Sequence, residues 1–167
     1  MPVILNKVGE HRNQNAIELL VRYMLGSKFY WRYGSRGLIA DSQENIIQGF
    51  LYTKQMYDKT DGKQINHFII GTEDEGISVA QLYYIAEVAA DYFYNQGYQC
   101  FYVIHSGSED SPNYHHIHFA VNTINYMTGL RLYETYTVVT EIKNYMKAEY
   151  PEYSWHAIND DSLSWDL

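Results

Sequence analysis

Hydrophobic residues recur at helical spacing in four segments of the chain. Apolar side chains at i, i+3, i+4 and i+7 share one face of a helix, so each segment is predicted to be a helix packed on a core. The clearest of them opens at Ser78, with Gln81 three residues later as in a capping box, and ends before Gly97. The first predicted helix is capped by Asn13 or Asn15 and runs to about residue 25; the other three cover residues 41–57, 78–95 and 134–148.

Four other segments favour strands, because they are rich in aromatic and β-branched residues or alternate between polar and apolar positions. They cover residues 3–7, 64–71, 98–105 and 114–123. The last two flank a polar loop and are predicted to form a hairpin. The resulting order β-α-α-β-α-β-β-α predicts an α+β domain, a mainly antiparallel sheet with helices packed on it. We expect one domain over residues 1–158 and a short acidic tail over 159–167.

The segment 29–37 interleaves four aromatic residues with two arginines and two glycines. This composition is typical of a flexible loop whose aromatic rings stack on unpaired bases and whose arginines meet phosphates. An aromatic loop folded onto its own core is an equally good interpretation, because the chain holds 18 tyrosines.

Composition and charge narrow the possible partners. The net charge of −8 argues against indiscriminate binding of nucleic acid. Residues 1–40, however, carry six basic and two acidic side chains, so an anionic partner is expected to bind on one side unless the asymmetry is chance. The single cysteine, Cys100, cannot form an internal disulfide, and the chain shows neither a signal peptide nor an apolar run of membrane-spanning length. We therefore expect a cytoplasmic protein without membrane insertion.

Four of the seven histidines lie in the predicted hairpin. Side chains alternate along a strand, so His116 and His118 project from one face together with Asn122, while His115 points away. If the hairpin brings His105 opposite this row, three imidazoles converge at the end of a sheet. Imidazole is the commonest side-chain metal ligand, so a metal site is predicted, with solvated strand histidines as the alternative.

Taken together, these motifs resemble the relaxase and mobilisation nuclease family, the HUH endonucleases that include MOBP-like plasmid mobilisation relaxases. The resemblance spans about residues 16–146. It is carried by the segments 22–28 (RYMLGSK), 65–71 (INHFIIG), 104–105 (IH), 116–122 (HIHFAVN) and 128–129 (TG). The resemblance implies an HUH-endonuclease-like fold with the histidine motif on central strands.

Carried over residue by residue, the resemblance implies that Tyr23 is the nucleophile and that Asn122 holds a ligand or the phosphate. The implied metal ligands are His105, His116 and His118, and the implied cofactor is a divalent ion, Mn²⁺ or Mg²⁺, with Zn²⁺, Co²⁺ or Ni²⁺ as other candidates. The residues expected to bind DNA are Arg22, Lys28, Tyr30, Trp31, Arg32 and Arg36.

The sequence departs from the family at Gly107, where an acid is common two residues after the first histidine; Glu109 or Asp110 in the same loop are possible substitutes. This departure leaves open how the site is polarised.

The implied function is nicking of single-stranded DNA at a transfer origin, through a 5′-phosphotyrosine intermediate, for conjugative mobilisation. Accessory relaxosome proteins are expected as partners. A rolling-circle replication initiator is the alternative enzyme, although Tyr23 precedes the histidine motif as in relaxases. A non-catalytic DNA- or metal-binding module of the same fold is the third possibility, supported by Gly107 and by the acidic net charge.

Overall fold

The structure is a computed structural model that describes residues 2–72, 76–132 and 135–158. Helices and strands alternate along most of the chain. The elements are β1 (Pro2–Val8), α1 (Ala16–Gly26), β2 (Tyr30–Arg36), α2 (Gln43–Met56), β3 (Ile65–Thr72), α3 (Val79–Asn95), β4 (Cys100–His105), β5 (His116–Asn122), α4 (Thr135–Glu149) and β6 (Ser154–Ile158).

These strands form one six-stranded sheet in the order β2-β4-β5-β3-β1-β6. The neighbours run antiparallel except for β1 and β6, which are parallel. The structure thus confirms the predicted α+β class and the mainly antiparallel sheet. The hairpin strands β4 and β5 lie inside the sheet, and every residue of both is buried.

The two faces of the sheet are covered by different helices. One β5 row, which includes Phe119, packs with α3 and α4 in the larger hydrophobic cluster. The opposite face contributes Val103 and Ala120 to a second cluster with α1 and α2, where Leu20 and Phe50 are fully buried. Burying a leucine or phenylalanine side chain stabilises the fold by about 1.5–3 kcal/mol. The second cluster therefore fixes α1 against the face from which the hairpin histidines project.

The predicted helices and strands agree with the structure to within a few residues at their ends. In α3, the Ser78 hydroxyl accepts from the backbone N–H of Gln81, and the Gln81 side chain accepts from the N–H of Ser78, which completes the predicted capping box. Within the described part of the chain, no helix is long and apolar enough to cross a membrane.

The prediction of a flexible loop over residues 29–37 is wrong. Most of this segment is β2, an edge strand that pairs antiparallel with β4. Tyrosine and tryptophan favour strands, but the two glycines gave the segment the composition of a loop. Gly34 has a packing role instead, because a Cβ at this position would overlap the ring of Tyr102.

Strand β6 was not predicted at all. It pairs with β1, almost the whole chain length away, and buries Trp155. The division into a domain over residues 1–158 and an acidic tail stays a prediction, because the tail, residues 159–167, lies outside the described residues.

Candidate active site

Three histidines meet where the hairpin strands reach the loop between them. His105 at the end of β4 lies opposite His116 at the start of β5, and His118 projects two residues further along the same face. Their ring centroids lie 4.6–5.2 Å apart, and one nitrogen from each ring lies within 4.8 Å of the others. Three buried nitrogen donors at this spacing fit a single divalent metal ion.

Burial keeps these imidazoles neutral at physiological pH. Desolvation lowers the pKa of His116 to about 4, although its hydrogen bond to a backbone carbonyl works in the opposite direction. Desolvation also lowers the pKa of His105 and holds that of His118 well below its usual value. A neutral imidazole keeps a lone pair, which is the form that binds a metal.

Backbone carbonyls orient two of the three rings. The Nε2–H of His105 donates to the carbonyl of Met24 at 2.8 Å, and the Nδ1–H of His116 donates to the carbonyl of Tyr114 at 2.9 Å. Met24 lies in the last turn of α1, where helix carbonyls lack partners within the helix. The bond to His105 satisfies one such carbonyl and ties α1 directly to the histidine cluster.

A fourth histidine, His67 on β3, joins the cluster and was missed as a site residue. Its Nε2 lies 2.9 Å from Nδ1 of His118, and the two rings stack with centroids 5.1 Å apart. His67 is fully buried, and desolvation holds its pKa well below the usual value. The predicted strand put His67 on one face with Ile65 and Ile69, but only the pairing of β3 with β5 shows that this face is the one that carries His118.

Tyr23 stands beside the histidine cluster, one turn from the end of α1. Its ring meets that of His118 edge-on, with centroids 5.5 Å apart. It is half-buried, and desolvation raises its pKa above 10.0. Tyr23, His105 and His116 line a pocket of about 550 Å³ between the end of α1 and the loop 107–110. The structure therefore brings Tyr23 together with all three predicted metal ligands.

Two of the predicted DNA-binding residues also line this pocket, and both are held in ion pairs. Arg22 pairs with Glu18 at 2.5 Å, and the Lys28 ammonium lies 2.9 Å from the carboxylate of Glu109. Glu109 belongs to the loop that borders the pocket. A phosphate entering the pocket would compete with this carboxylate for Lys28.

The other four predicted DNA-binding residues lie on β2, outside the pocket lining. Tyr30 pairs in register with His105, and Trp31 sits at an irregularity in the strand pairing; each is about 40% exposed. Arg32 instead packs over the ring of Tyr83. Arg36 binds Glu87 and lies 2.6 Å from Asp91. Two aromatic residues therefore remain as candidates for base stacking, whereas Arg36 is committed to binding α3.

The structure does not bring Asn122 to the histidines. It shares their face of β5 but lies six residues beyond His116, which is about 20 Å along an extended strand. Its amide donates to the carbonyl of Phe50 and to the side chain of Gln99, and its oxygen accepts from the N–H of Ile124. The side chain therefore ties β5 to α2 and to the residue that precedes β4.

The position of Gly107 leaves no room for a side chain. A Cβ there would overlap the carbonyl oxygen of Pro112 and lie 3.1 Å from the ring of Phe29. The two acids suggested as substitutes, Glu109 and Asp110, are both exposed, so neither lies buried beside the histidines. Among the described residues, His67 is a side chain within hydrogen-bond distance of His118, one of the predicted ligands.

We expect Gly107→Asp to destabilise the protein rather than supply a useful carboxylate. Because the loop backbone must move to admit the new side chain, the free energy of unfolding should fall by about 1–3 kcal/mol. Ser111→Asp adds the same charge at an exposed position of this loop and should change the free energy of unfolding by less than about 0.5 kcal/mol. Urea unfolding of both variants measures the difference, and equal stability would show that the loop accommodates a side chain at Gly107.

Comparison with known families gives one match that covers most of the chain. The family model described as "Relaxase: MobA/VirD2-like, nuclease domain" matches residues 23–155. The matched span contains Tyr23, His67 and the three clustered histidines. No curated protein matches the chain.

Proposed function

Because this chain belongs to the relaxase family, through its MobA/VirD2-like nuclease domain, we propose that it nicks single-stranded DNA at a transfer origin with Tyr23 as nucleophile. Family membership makes it a DNA-nicking endonuclease and transesterase in general terms. The single observation that carries the finer proposal is the edge-on contact of Tyr23 with His118 at a pocket lined by two further histidines. The proposed setting is conjugative mobilisation in the cytoplasm, with accessory relaxosome proteins as partners.

In the proposed reaction, the phenol oxygen of Tyr23 attacks the scissile phosphorus. The bond from phosphorus to the 3′ oxygen breaks, which leaves a 5′-phosphotyrosine and a free 3′ hydroxyl. Burial raises the pKa of Tyr23, so the phenol enters the reaction protonated and loses its proton as it attacks, while the departing 3′ oxygen takes up a proton to become the 3′ hydroxyl. The covalent intermediate conserves the energy of the phosphodiester, so the 3′ hydroxyl of a strand can later displace Tyr23 without ATP.

His105, His116 and His118 would hold the divalent ion, which supplies Lewis acidity at the non-bridging phosphate oxygens. Three protein ligands leave coordination positions for those oxygens. Three neutral nitrogens are softer donors than the oxygen ligands that Mg²⁺ prefers, so Mn²⁺, Zn²⁺, Co²⁺ or Ni²⁺ should bind at least as tightly as Mg²⁺.

We propose that the DNA strand runs from the pocket mouth, at Arg22 and Lys28, toward the exposed rings of Tyr30 and Trp31. Cations that meet phosphates and aromatic rings that stack on bases are the usual pair of contacts to single-stranded DNA. Arg32 lies beside this path, over the ring of Tyr83. Arg36 is not among the proposed DNA contacts, because its ion pairs with Glu87 and Asp91 would first have to break.

Glu109→Gln should tighten the binding of a single-stranded oligonucleotide about two- to fivefold at low salt, because it removes the carboxylate that competes with phosphate for Lys28. Fluorescence anisotropy with an oligothymidine gives the dissociation constants. Glu10→Gln makes the same charge change in an exposed pair with Arg12 and is the matched control. If both variants bind the oligonucleotide more tightly by the same factor, the effect comes from net charge and not from the pocket. The same holds if Glu109→Gln still tightens binding in a protein that also carries Lys28→Gln.

Covalent capture of DNA tests the proposed function. The protein is incubated with Mn²⁺ and a pool of single-stranded oligonucleotides that includes origin sequences, and adducts are separated on a denaturing gel. An adduct that maps to Tyr23, with a free 3′ hydroxyl on the released strand, supports the proposal, and preference for a rolling-circle origin would favour the replication initiator. Absence of any adduct with every metal and origin would favour a non-catalytic module.

A further inference from the structure

Phe29 is an aromatic residue of the pocket to which the proposed reaction gives no role. It lines the pocket together with Tyr23, His105 and His116, and it is half-buried. It opens the aromatic segment 29–37 but is not among the six residues predicted to bind DNA. An aromatic residue in the same cavity as the proposed nucleophile is a candidate to contact the substrate.

The backbone of Phe29 is fixed at both of its polar groups. Its N–H donates to the hydroxyl of Ser27 at 3.1 Å, and its carbonyl accepts from the N–H of Ser106 at 2.8 Å. The N–H of Tyr30 donates to the carbonyl of Ser27 at 3.1 Å, so Phe29 lies in a tight turn between α1 and β2. A ring whose backbone is held in this way loses less conformational freedom when a ligand binds to it.

Gly107 gives the ring of Phe29 its place against the loop that borders the pocket. A Cβ at residue 107 would lie 3.1 Å from Cδ1 of Phe29, which is tighter than an ordinary van der Waals contact. The position at which the sequence departs from the family therefore leaves space for an aromatic ring at the pocket wall.

Lys28 places a cation over this ring. Its Nζ lies 5.2 Å from the centroid of the Phe29 ring and 2.9 Å from the carboxylate of Glu109. The Lys28 side chain is 65% exposed, so both contacts are weak and can be exchanged for contacts with a ligand. A nucleotide carries the two groups that would replace them, a phosphate for the ammonium and a base for the ring.

We propose that Phe29 and Lys28 form a subsite for one nucleotide, in which the base stacks on the Phe29 ring while Lys28 turns to the phosphate. Because Tyr23 lines the same pocket, this nucleotide is one of the two that flank the scissile phosphate. A base can stack on the ring only when it is unpaired, so the subsite selects single-stranded DNA at the nick site. This inference rests on the proposed function, which places DNA in the pocket.

The first test compares DNA with and without bases. The probes are a fluorescein-labelled oligothymidine and an oligonucleotide of equal length made of abasic tetrahydrofuran units, and fluorescence anisotropy gives the dissociation constants. Phe29→Leu keeps an apolar side chain but has no ring, so it should weaken binding of the oligothymidine about 5- to 100-fold. Binding of the abasic probe should stay within about twofold of wild type, because the phosphate contacts remain.

The matched control is Tyr52→Leu, which removes an exposed ring of α2 outside the pocket lining. It should bind both probes as wild type does. If Phe29→Leu weakens both probes by the same factor, or weakens neither, Phe29 does not stack on a base and the inference is overturned.

The second test needs no substitution in the protein, so it holds even if Phe29→Leu fails to fold. Single abasic units are placed in turn along the oligonucleotide that forms the Tyr23 adduct. Wild-type protein should form the adduct about 5- to 100-fold more slowly when the abasic unit replaces one of the two nucleotides that flank the scissile phosphate. An unchanged rate at both flanking positions would refute the subsite.

The outcomes separate this inference from the function on which it rests. If wild-type protein binds neither probe, the proposed function and the subsite fall together. If an adduct forms on Tyr23 but neither test shows a dependence on the base, the subsite falls and the proposed function stands. If Phe29→Leu shows the base-dependent loss but no adduct forms on any origin, the proposed function falls and the subsite belongs to a non-catalytic DNA-binding module.

Discussion

Tyr23→Phe is expected to abolish the covalent protein–DNA adduct, lowering its rate of formation about a thousandfold or more, as loss of a nucleophile generally does. The substitution removes one oxygen atom and keeps the ring, so the edge-on contact with His118 is preserved. Folding, metal affinity and DNA affinity should therefore remain close to wild type. The adduct is quantified on denaturing gels at saturating DNA and Mn²⁺.

The chain's 18 tyrosines make a matched control necessary. Tyr52→Phe makes the same change at an exposed position of α2 and should leave adduct formation unaltered. If Tyr23→Phe still forms an adduct and peptide mapping finds the DNA on Tyr30 or Tyr33, the nuclease function stands but its nucleophile lies on β2.

His116→Ala is expected to have the next largest effect, a loss of divalent metal affinity of about a hundredfold or more. Two nitrogen ligands would remain, and the Tyr114 ring that stacks on His116 would lose its partner. A metal present at 100 times its dissociation constant stabilises the wild-type protein by about 2.7 kcal/mol. The variant should therefore lose the rise in Tm that Mn²⁺ or Zn²⁺ produces in wild type.

The control for this variant is His115→Ala, next in the chain but bonded to the carbonyl of Ile77. Its metal affinity should match that of wild type. Isothermal calorimetry measures the affinities and differential scanning calorimetry the shifts in Tm. Unchanged metal affinity in His116→Ala would refute a site made of the three histidines.

The histidine hairpin was predictable because its determinants are local. Alternation along one strand put His116 and His118 on the same face, and a hairpin across the short loop could bring His105 opposite them, which is the register that the structure has. The same alternation correctly puts Asn122 on this face, but it does not give the distance along the strand, which is about 20 Å from His116.

The features that the sequence did not reveal all depend on pairing between strands that are far apart in the chain. The position of His67 beside His118 follows from the register of β3 against β5, 51 residues apart at the hydrogen-bonded pair. Strand β2 is ordered by pairing with β4, and β6 by pairing with β1. Composition alone could not distinguish β2 from a glycine-containing loop, because both interpretations suit aromatic residues next to glycines.

The last turn of α1 also bears on what happens after cleavage. Tyr23 and Met24 are consecutive residues. The ring of Tyr23 faces His118, and the backbone carbonyl of Met24 accepts a hydrogen bond from His105. In the proposed intermediate, the 5′ end of the cut strand is thus anchored to a rigid helix and not to a mobile loop. Successive residues of a helix point about 100° apart, so moving the helix along its axis by one residue would break both the Tyr23–His118 contact and the hydrogen bond to Met24. If Tyr23 is the nucleophile as proposed, the cut end would stay within reach of the cluster until a 3′ hydroxyl arrives, and the helix would retain the strand between cutting and rejoining.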